Sequence, residues 1–332
     1  MKALRTHAAG GPETLVLDDL PDPVAGAGEV VVRVHACSIN FPDTLIIRDL
    51  YQFKPQRPFS PGSELSGVIE SVGEGVSGWK AGDRVIAMIG DGGLAEKVAV
   101  TTSRLFPLPD GVDFDTGASL LMTYGTTIHG LKDRGHIKAG DTVLVLGAAG
   151  GVGLSAVELA KAFGARVIAA VSSEEKAQIA RNAGADEVVI YGRPPFDKAQ
   201  SKALAEQFKA ACGPNGADIV YDIVGGDYSE PALRAIAWEG RFLVVGFPAG
   251  IAKLPLNLTL LKSCDVCGVF WGAWTRREPA AFAAEVEELF ALLKAGKIKP
   301  LVSARYQLAD AAQAIALLEN RQATGKVVVT MG

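Results

Sequence analysis

The residues of this 332-residue chain that are best suited to chemistry form a glycine-rich turn near its middle. A β-branched and apolar run at Thr142–Leu146 leads directly into Gly147, and helical periodicity begins at about Gly153. Glycines let such a turn approach a pyrophosphate closely, and the positive end of the following helix stabilises its charge. The spacing is Gly-x-x-Gly-x-x-Gly instead of the strict G-x-G-x-x-G, so a tight turn without a ligand is the alternative. The residues predicted to bind a dinucleotide here are Gly147, Ala149, Gly150, Gly151, Val152 and Gly153.

The end of the second predicted strand indicates which dinucleotide this turn would take. NAD-selective sites place an Asp or Glu there, about 20 residues further on, to bind the ribose hydroxyls. This strand instead ends at Ser172, with Lys176 shortly after it and Tyr191 and Arg193 at the end of the third strand. Cations and hydroxyl groups in place of a carboxylate suit a 2′-phosphate, so the sequence predicts NADPH. A compatible alternative is that Ser172-x-x-Glu175 is a helix capping box and Lys176 a solvated side chain.

Metal and thiol chemistry have little support in the sequence. The four histidines and four cysteines form no His-x₃-His pair and no paired Cys-x₂-Cys motifs. The single motif Cys264-x-x-Cys267 enters a predicted strand, whereas a redox pair normally lies at a helix N-terminus that lowers the thiol pKa. A zinc site would need at least one further ligand group. The sequence therefore predicts structural cysteines and no metal site.

The candidate residues need a scaffold of alternating strands and helices, which the chain provides from about residue 122. Such alternation predicts an α/β fold with a parallel sheet and helices on both faces. After the first strand, the predicted strands are Arg166–Val171, Glu187–Tyr191, Asp218–Val224, Phe242–Gly246 and Asp265–Trp271. The predicted helices are Gly153–Phe163, Glu174–Ala183, Lys202–Cys212, Glu230–Trp238 and Ala280–Lys294.

The first third of the chain has a different pattern, with short β-branched runs separated by glycines. Runs of this kind predict a small barrel or sandwich. The tail, with predicted strands Val302–Leu308 and Lys326–Thr330 around helix Ala309–Asn320, could rejoin this first domain.

Composition excludes several classes of protein. Hydrophobic residues make up 48% and charged residues 21%, which argues against intrinsic disorder. A net charge of −4 provides no basic surface for nucleic acid. Four cysteines are too few for a disulfide framework, and neither a signal-peptide core nor a membrane-spanning apolar run is present. We therefore expect a soluble, cytoplasmic protein.

The chain resembles the zinc-free quinone oxidoreductases of the medium-chain dehydrogenase/reductase superfamily over nearly its whole length. The resemblance implies a GroES-like, β-rich catalytic domain of residues 1–121 and 298–332. It also implies a Rossmann NADP(H)-binding domain of residues 122–297, with the active site in the cleft between the domains. The stretches that carry it are Asn40–Asp43, Pro61–Gly67, Gly73–Val76, Lys80–Val85, Tyr124–Thr127, Gly147–Gly153 and Phe270–Trp274.

The same resemblance implies chemistry without a metal. Zinc-dependent relatives have a Cys ligand where this chain has Asn40, and a His ligand where it has Ser63. Their third catalytic ligand and the cysteine loop for structural zinc also have no counterpart. Because alcohol oxidation needs a Lewis acid to stabilise an alkoxide, we expect NADPH-dependent reduction of quinones or α,β-unsaturated carbonyl compounds instead.

The resemblance assigns roles to individual residues. Tyr51 stands where related 2-enoyl thioester reductases carry a catalytic Tyr, and Asn40 offers an amide donor to the substrate oxygen. The alternatives are an aromatic wall of the cleft for Tyr51 and a loop-capping side chain for Asn40. Thr127, Phe247 and Phe270 match positions that line the nicotinamide in the family, Phe270 through its backbone, and Gly246 is also predicted to bind the cofactor.

Two other functions stay open at this stage. An enoyl-CoA reductase would need a basic groove for the coenzyme A phosphates, and the sequence has no such cluster. A non-catalytic, NADPH-binding role is the other, since the family includes a lens crystallin. The strand around Cys264–Trp271 corresponds to one that pairs across a dimer in the family, so we expect a homodimer that acts on a small-molecule substrate.

Overall fold

The computed structural model describes residues 1–331, which form three β-sheets and the helices that pack beside them. The strands are β1 (Lys2–Arg5), β2 (Val16–Asp19), β3 (Glu29–Ile39), β4 (Glu64–Val72), β5 (Arg84–Met88), β6 (Lys97–Thr101), β7 (Leu105–Pro107), β8 (Thr142–Leu146), β9 (Arg166–Val171), β10 (Glu187–Ile190), β11 (Ala217–Asp222), β12 (Ile236–Val244), β13 (Asp265–Gly268), β14 (Val302–Gln307) and β15 (Lys326–Thr330). The α-helices are α1 (Phe41–Ile46), α2 (Phe114–Gly117), α3 (Thr126–His129), α4 (Gly151–Ala162), α5 (Glu174–Asn182), α6 (Lys198–Cys212), α7 (Ser229–Arg234), α8 (Asn257–Lys262), α9 (Trp271–Arg277), α10 (Pro279–Lys294) and α11 (Ala311–Glu319). The π-helical turns Leu121–Gly125 and Gly130–Arg134 flank α3.

The chain divides into two compact units. The β-rich unit contains residues 1–122 and 300–331, and the parallel-sheet unit contains residues 123–299. In the β-rich unit the larger sheet has the order β14-β15-β3-β4-β5-β7, and β6 also pairs with β3. Strand β15 pairs antiparallel with β3, so the C-terminal tail lies in the same sheet as the first third of the chain. Alternate residues Val30, Val32 and Val34 of β3 enter the core of this unit.

The sheet of the other unit has the order β10-β9-β8-β11-β12-β13, and all its neighbouring strands are parallel. This is the Rossmann order, in which the first strand of the unit lies beside the fourth. Residues 143–146 of β8 are all fully buried, as expected for a strand covered on both faces. The predicted doubly wound parallel sheet is therefore confirmed.

Two of the predicted elements are wrong at their C-terminal ends. The strand predicted to reach Trp271 ends at Gly268, because Phe270 has φ −113° and ψ 69° and leaves the extended conformation before α9 begins. The helix predicted to reach Trp238 ends at Arg234, and β12 begins at Ile236. A short apolar run such as Ile236–Trp238 fits the periodicity of a helix and of a strand equally well. Here its pairing with β11 makes it a strand.

No helix within residues 1–331 is both long and apolar enough to cross a lipid bilayer.

Candidate active site

The glycine-rich turn follows β8 and leads directly into α4, as the sequence predicts. Gly147 has a φ of +70°, which favours glycine, and α4 is a 12-residue helix that begins at Gly151. A Cβ on Gly153 would lie 2.2 Å from the carbonyl oxygen of Gly147, so only glycine fits where the helix meets the turn. The first amide groups of an α-helix have no acceptor within the helix, so this end is suited to an anion. Of the other predicted residues, Ala149 is buried, and Gly150, Gly151 and Val152 are half-buried.

Asp222 fixes the loop beside this turn. No motif in the sequence predicted a role for this residue. It ends β11, and its buried carboxylate accepts the amides of Val224 and Gly225, both at 2.8 Å, and the Ser229 hydroxyl at 2.5 Å. Burial raises the pKa of Asp222 despite these hydrogen bonds. A Cβ on Gly147 would lie 2.8 Å from a methyl carbon of Val224, so the two loops touch. They follow β8 and β11, the strands between which the sheet order reverses, and open α/β sheets bind ligands there.

The loop after β12 joins the same edge of the sheet. The amide of Gly246 donates to the carbonyl oxygen of Asp222 at 3.3 Å, and a Cβ on Gly225 would lie 2.8 Å from the Cβ of Phe247. The Phe247 ring is half-exposed, and so is that of Phe270, which caps α9 after the edge strand β13. The structure therefore brings the glycine-rich turn and the predicted residues Gly246 and Phe247 to one edge of the sheet.

Thr127, which the resemblance places beside the nicotinamide, makes hydrogen bonds within its own unit. Its side chain is fully buried, and its hydroxyl lies 2.7 Å from that of Ser155 and 3.0 Å from that of Tyr221. The hydroxyl thus links α3 to α4 and β11 in the interior of the parallel-sheet unit. These hydrogen bonds hold the three elements together, and the nicotinamide contact stays a prediction.

The capping alternative for Ser172 is wrong by one residue. Helix α5 is capped by Ser173, whose hydroxyl oxygen accepts the amide of Lys176 at 3.3 Å. Ser172 is half-buried directly after β9 and takes no part in this cap. In NAD-selective sites the residue at this position, the end of the second strand, is an Asp or Glu whose carboxylate binds the ribose.

Two cations that follow Ser172 in the chain, Lys176 and Arg193, interact electrostatically. Burial and the neighbouring charge of Arg193 lower the pKa of Lys176, and Glu175 opposes this effect. A ligand anion would stabilise the charged form of a lysine that a neighbouring cation disfavours. Tyr191, by contrast, is buried in the core of this unit, with its ring centroid 4.6 Å from that of Tyr228. The roles of Lys176 and Tyr191 at a 2′-phosphate stay predictions.

In the β-rich unit, the side chain of Asn40 belongs to a buried polar cluster. The Lys326 ammonium donates to Asn40 Oδ1 at 2.6 Å and lies 3.4 Å from Glu64 Oε2. An ammonium group only donates, so it fixes the Asn40 amide with its oxygen towards Lys326. Asn40 Nδ2 then lies 3.4 Å from Glu64 Oε2 and from both the carbonyl and hydroxyl oxygens of Ser38. The predicted amide donor is thus turned towards acceptors within this unit.

The backbone of Asn40 also caps α1. The Asp43 carboxylate accepts the Asn40 amide at 2.7 Å and the Gly62 amide at 3.0 Å. Burial raises the pKa of Asp43 to about 6. The capping role that the sequence left open therefore belongs to the backbone of Asn40, while its side chain contacts Lys326.

Glu64 and Lys326 are both almost fully buried. No motif in the sequence predicted a role for either residue. Glu64 also accepts the Ser38 hydroxyl at 2.8 Å and the Met122 amide at 2.9 Å. The sequence contains one indication of this pair, because Lys326 directly precedes the apolar run Val327–Val329 in the predicted strand Lys326–Thr330. A lysine there needs an acidic partner once the strand is buried.

Tyr51 lies half-buried against the core of the β-rich unit. The segment before it is held by Asp49, whose carboxylate pairs with Arg57 at 2.8 Å. Arg57 also donates to the carbonyl oxygen of Ile47 at 3.0 Å. These contacts hold the segment that precedes the Tyr51 ring, and the catalytic and wall roles of Tyr51 both stay predictions.

Comparisons with known proteins agree with this architecture. Residues 26–110 match the alcohol dehydrogenase GroES-like domain, and residues 151–291 match the zinc-binding dehydrogenase family. The chain is 36% identical over 332 residues to the quinone oxidoreductase-like protein 2 homolog of Nematostella vectensis, covering 99% of this chain and 88% of that protein. Escherichia coli quinone oxidoreductase complexed with NADPH superposes with a TM-score of 0.88 and 31% identity, over 99% of this chain and 100% of that one. A mycobacterial protein complexed with NADPH gives a TM-score of 0.91 and 33% identity, over 99% of each chain.

Proposed function

The chain belongs to the quinone oxidoreductase family of the medium-chain dehydrogenase/reductase superfamily, and on that premise we propose that it is an NADPH-dependent reductase of quinones or α,β-unsaturated carbonyl compounds. The observation that carries the proposal is the edge of the parallel sheet. There the glycine-rich turn leads into α4, and Ser172 follows β9 with Lys176 in the first turn of α5. NADPH supplies a hydride when bound, and the chain provides the groups that hold its phosphates.

The donor groups of the β-rich unit support a reaction without a metal. At the positions of the zinc ligands, Asn40 and Ser63 offer an amide and a hydroxyl, which are poor ligands beside the Cys and His of zinc enzymes. The Lys326 ammonium, 2.6 Å from Asn40 Oδ1, would also repel a second cation. These residues therefore do not fit a zinc ion, and the proposed reaction does not use one.

Without a metal, the substrate must be electrophilic enough to accept a hydride directly, as quinones and enones are. The chain then has to orient this substrate and stabilise the negative charge that develops on its oxygen. Tyr51 is the donor that we propose for this oxygen. Asn40 is a weaker candidate, because its amide already faces Glu64 and Ser38.

Turnover with a substrate panel tests this proposal. The protein would be dialysed against a strong chelator and supplied with NADPH and a series of quinones, enones and a 2-enoyl-CoA. We expect NADPH oxidation with quinones or enones, at a rate that added Zn²⁺ does not increase. Preference for the 2-enoyl-CoA would favour the thioester reductase that the position of Tyr51 also suggests. No turnover with any compound, despite tight NADPH binding, would favour the non-catalytic role.

Cofactor preference gives a second prediction. Ser172→Asp would place a carboxylate beside a 2′-phosphate that carries close to two negative charges, while the same carboxylate would accept the ribose hydroxyls of NADH. We expect NADPH to bind at least about tenfold more weakly to this variant, with NADH improved relative to it. Lys176→Ala should weaken NADPH and leave NADH nearly unchanged.

The measurement is the ratio of Kd values for the two cofactors at low and high salt, since salt screens these pairs. Lys209→Ala is the control, because Lys209 is an exposed lysine of the same unit that pairs with Glu206. Equal affinities of the wild type for both cofactors, or a ratio that neither substitution changes, would contradict the proposal.

We also propose that the protein is a homodimer that pairs through β13. This strand is at the edge of its sheet, and α8 exposes Leu260 and Leu261 nearby in the sequence. An unpaired edge with exposed apolar side chains is suited to pairing with a second copy. Light scattering at micromolar concentration should give about twice the chain mass of 34.7 kDa, and the mass of one chain would contradict the dimer.

A further inference from the structure

A second group of ligating side chains lies in the parallel-sheet unit and has no part in the proposed reaction. His129 ends α3, Asp133 follows it by four residues in the π-helical turn, and Glu285 belongs to α10. One ligand atom from each of the three lies within 4.8 Å of the others. His129 Nδ1 is 2.7 Å from Asp133 Oδ2. The spacing His-x₃-Asp brings both side chains to one face of a helix, as His-x₃-His would.

One carboxylate oxygen of this group, Glu285 Oε2, is buried at a cost in free energy. Glu285 is only 8% exposed, and within residues 1–331 its Oε2 has no hydrogen-bond partner. His129 is buried as well, and its ring stacks on that of Trp274 with 4.2 Å between centroids, which fixes the direction of Nδ1. A buried carboxylate oxygen without a donor is expensive, whereas a cation would satisfy it.

The local charges also favour a divalent cation. The carboxylates of Asp133 and Glu285 carry two negative charges when ionised, and a neutral imidazole adds none. Lys132, which precedes Asp133 in the chain, is paired with Glu288 at 2.5 Å, so these two charges offset each other. The remaining negative charge is therefore that of the two carboxylates.

We propose that His129 Nδ1 and the carboxylates of Asp133 and Glu285 bind a divalent transition-metal ion, with Zn²⁺ as the best match. One nitrogen and two oxygens suit Zn²⁺ better than Ca²⁺ or Mg²⁺, which prefer oxygen alone. Zinc bonds of about 2.0–2.2 Å at tetrahedral angles place ligand atoms about 3.3 Å apart, so His129 and Asp133 must separate slightly. Asp133 is exposed, so water can complete the coordination. The ion joins the end of α3 to α10.

A proton competes with the metal for the same oxygens. Burial, together with the Asp133 carboxylate, raises the pKa of Glu285 to about 8, and Glu288 adds to this while Lys132 opposes it. The unfolded chain has an ordinary Glu pKa of about 4.3. The folded state therefore holds a proton that the unfolded state loses, so this group's contribution to stability is full below about pH 4.3 and is lost by about pH 8. Metal binding must release that proton, so Zn²⁺ should bind more tightly at pH 8 than at pH 6.

The test measures Zn²⁺ binding to the chelator-treated full chain by calorimetry at pH 6 and pH 8, together with Tm. We expect one Zn²⁺ per chain, tighter binding at pH 8 and a higher Tm with the ion. Glu285→Gln should bind Zn²⁺ at least about tenfold more weakly, in the range found when a metal site loses a supporting group. Its metal-free Tm at pH 8 should nevertheless exceed that of the wild type, because the buried charge is gone. Glu288→Gln is the matched control and should bind like the wild type.

Asp133→Asn provides a second variant that should fold normally, because Asp133 is exposed, and it should also lose Zn²⁺ binding. Equal affinity for Zn²⁺ in the wild type, Glu285→Gln and Asp133→Asn would overturn the proposal. That result would leave the group as two carboxyls that share a proton. Because metal content and Tm are the readouts, failure here is distinguishable from failure of the proposed reductase activity.

Discussion

Replacing Tyr51 by Phe is expected to lower kcat on the best enone substrate by about 10²- to 10³-fold, the loss typical of one oxyanion donor. The substitution keeps the ring that packs against the core of the β-rich unit and removes only the hydroxyl. Because that hydroxyl would act when charge develops on the substrate oxygen, the loss should fall on kcat more than on KM. Quinones should show a smaller effect, since aromatisation stabilises their oxygen and water can protonate it later.

Tyr306→Phe is the matched control, because Tyr306 is a second half-buried tyrosine that packs against the same core. It should leave kcat unchanged. Single-turnover measurements of NADPH oxidation separate the chemical step from product release in all three proteins. An unchanged kcat in Tyr51→Phe would reduce Tyr51 to a wall of the binding site.

The parts of the fold that the sequence predicts are those with strong local signals. Strand β8 is a continuous apolar run that leads into glycines, and both its bounds and the turn after it are as predicted. Where two local interpretations compete, the choice depends on a distant partner. The run at Ile236–Trp238 suited the end of a helix, but its neighbour in space is β11, which periodicity does not reveal.

The same distinction applies to the candidate site. The glycine-rich turn and the missing carboxylate at Ser172 are local features, and the sequence identifies both. The cap at Ser173 instead of Ser172 shows how one residue at a helix boundary changes which side chain is available. Asn40 and Lys326 are 286 residues apart, so no pattern of spacing predicts that they meet. The burial of the Thr127 hydroxyl likewise depends on Ser155 and Tyr221, which other elements supply.

The largest effect on stability is expected from Lys326→Met. Methionine matches the length of the lysine side chain but leaves the fully buried Glu64 carboxylate without its cation. Breaking a buried ion pair from one side costs roughly 3–5 kcal/mol, because the remaining charge is uncompensated. Asn40 also loses the donor at 2.6 Å that orients its amide. We expect the free energy of unfolding, measured by urea denaturation at neutral pH, to fall by this amount.

The double variant Lys326→Met with Glu64→Gln separates the charge from the shape of the site. The Oε1 of glutamine can still accept the Met122 amide, which now donates to Glu64 Oε1 at 2.9 Å. Its Nε2 then replaces Glu64 Oε2, which now accepts the Ser38 hydroxyl at 2.8 Å, and can donate to the Ser38 oxygen, while the unpaired charge is removed. Most of the lost stability should therefore return, since replacing both partners of a buried pair is often nearly neutral. Lys2→Met, which removes an exposed partner of Asp19 in the same unit, should cost less than about 1 kcal/mol. A double variant no more stable than Lys326→Met alone would mean that the lysine contributes packing and not charge, and that Asn40 does not depend on it for orientation.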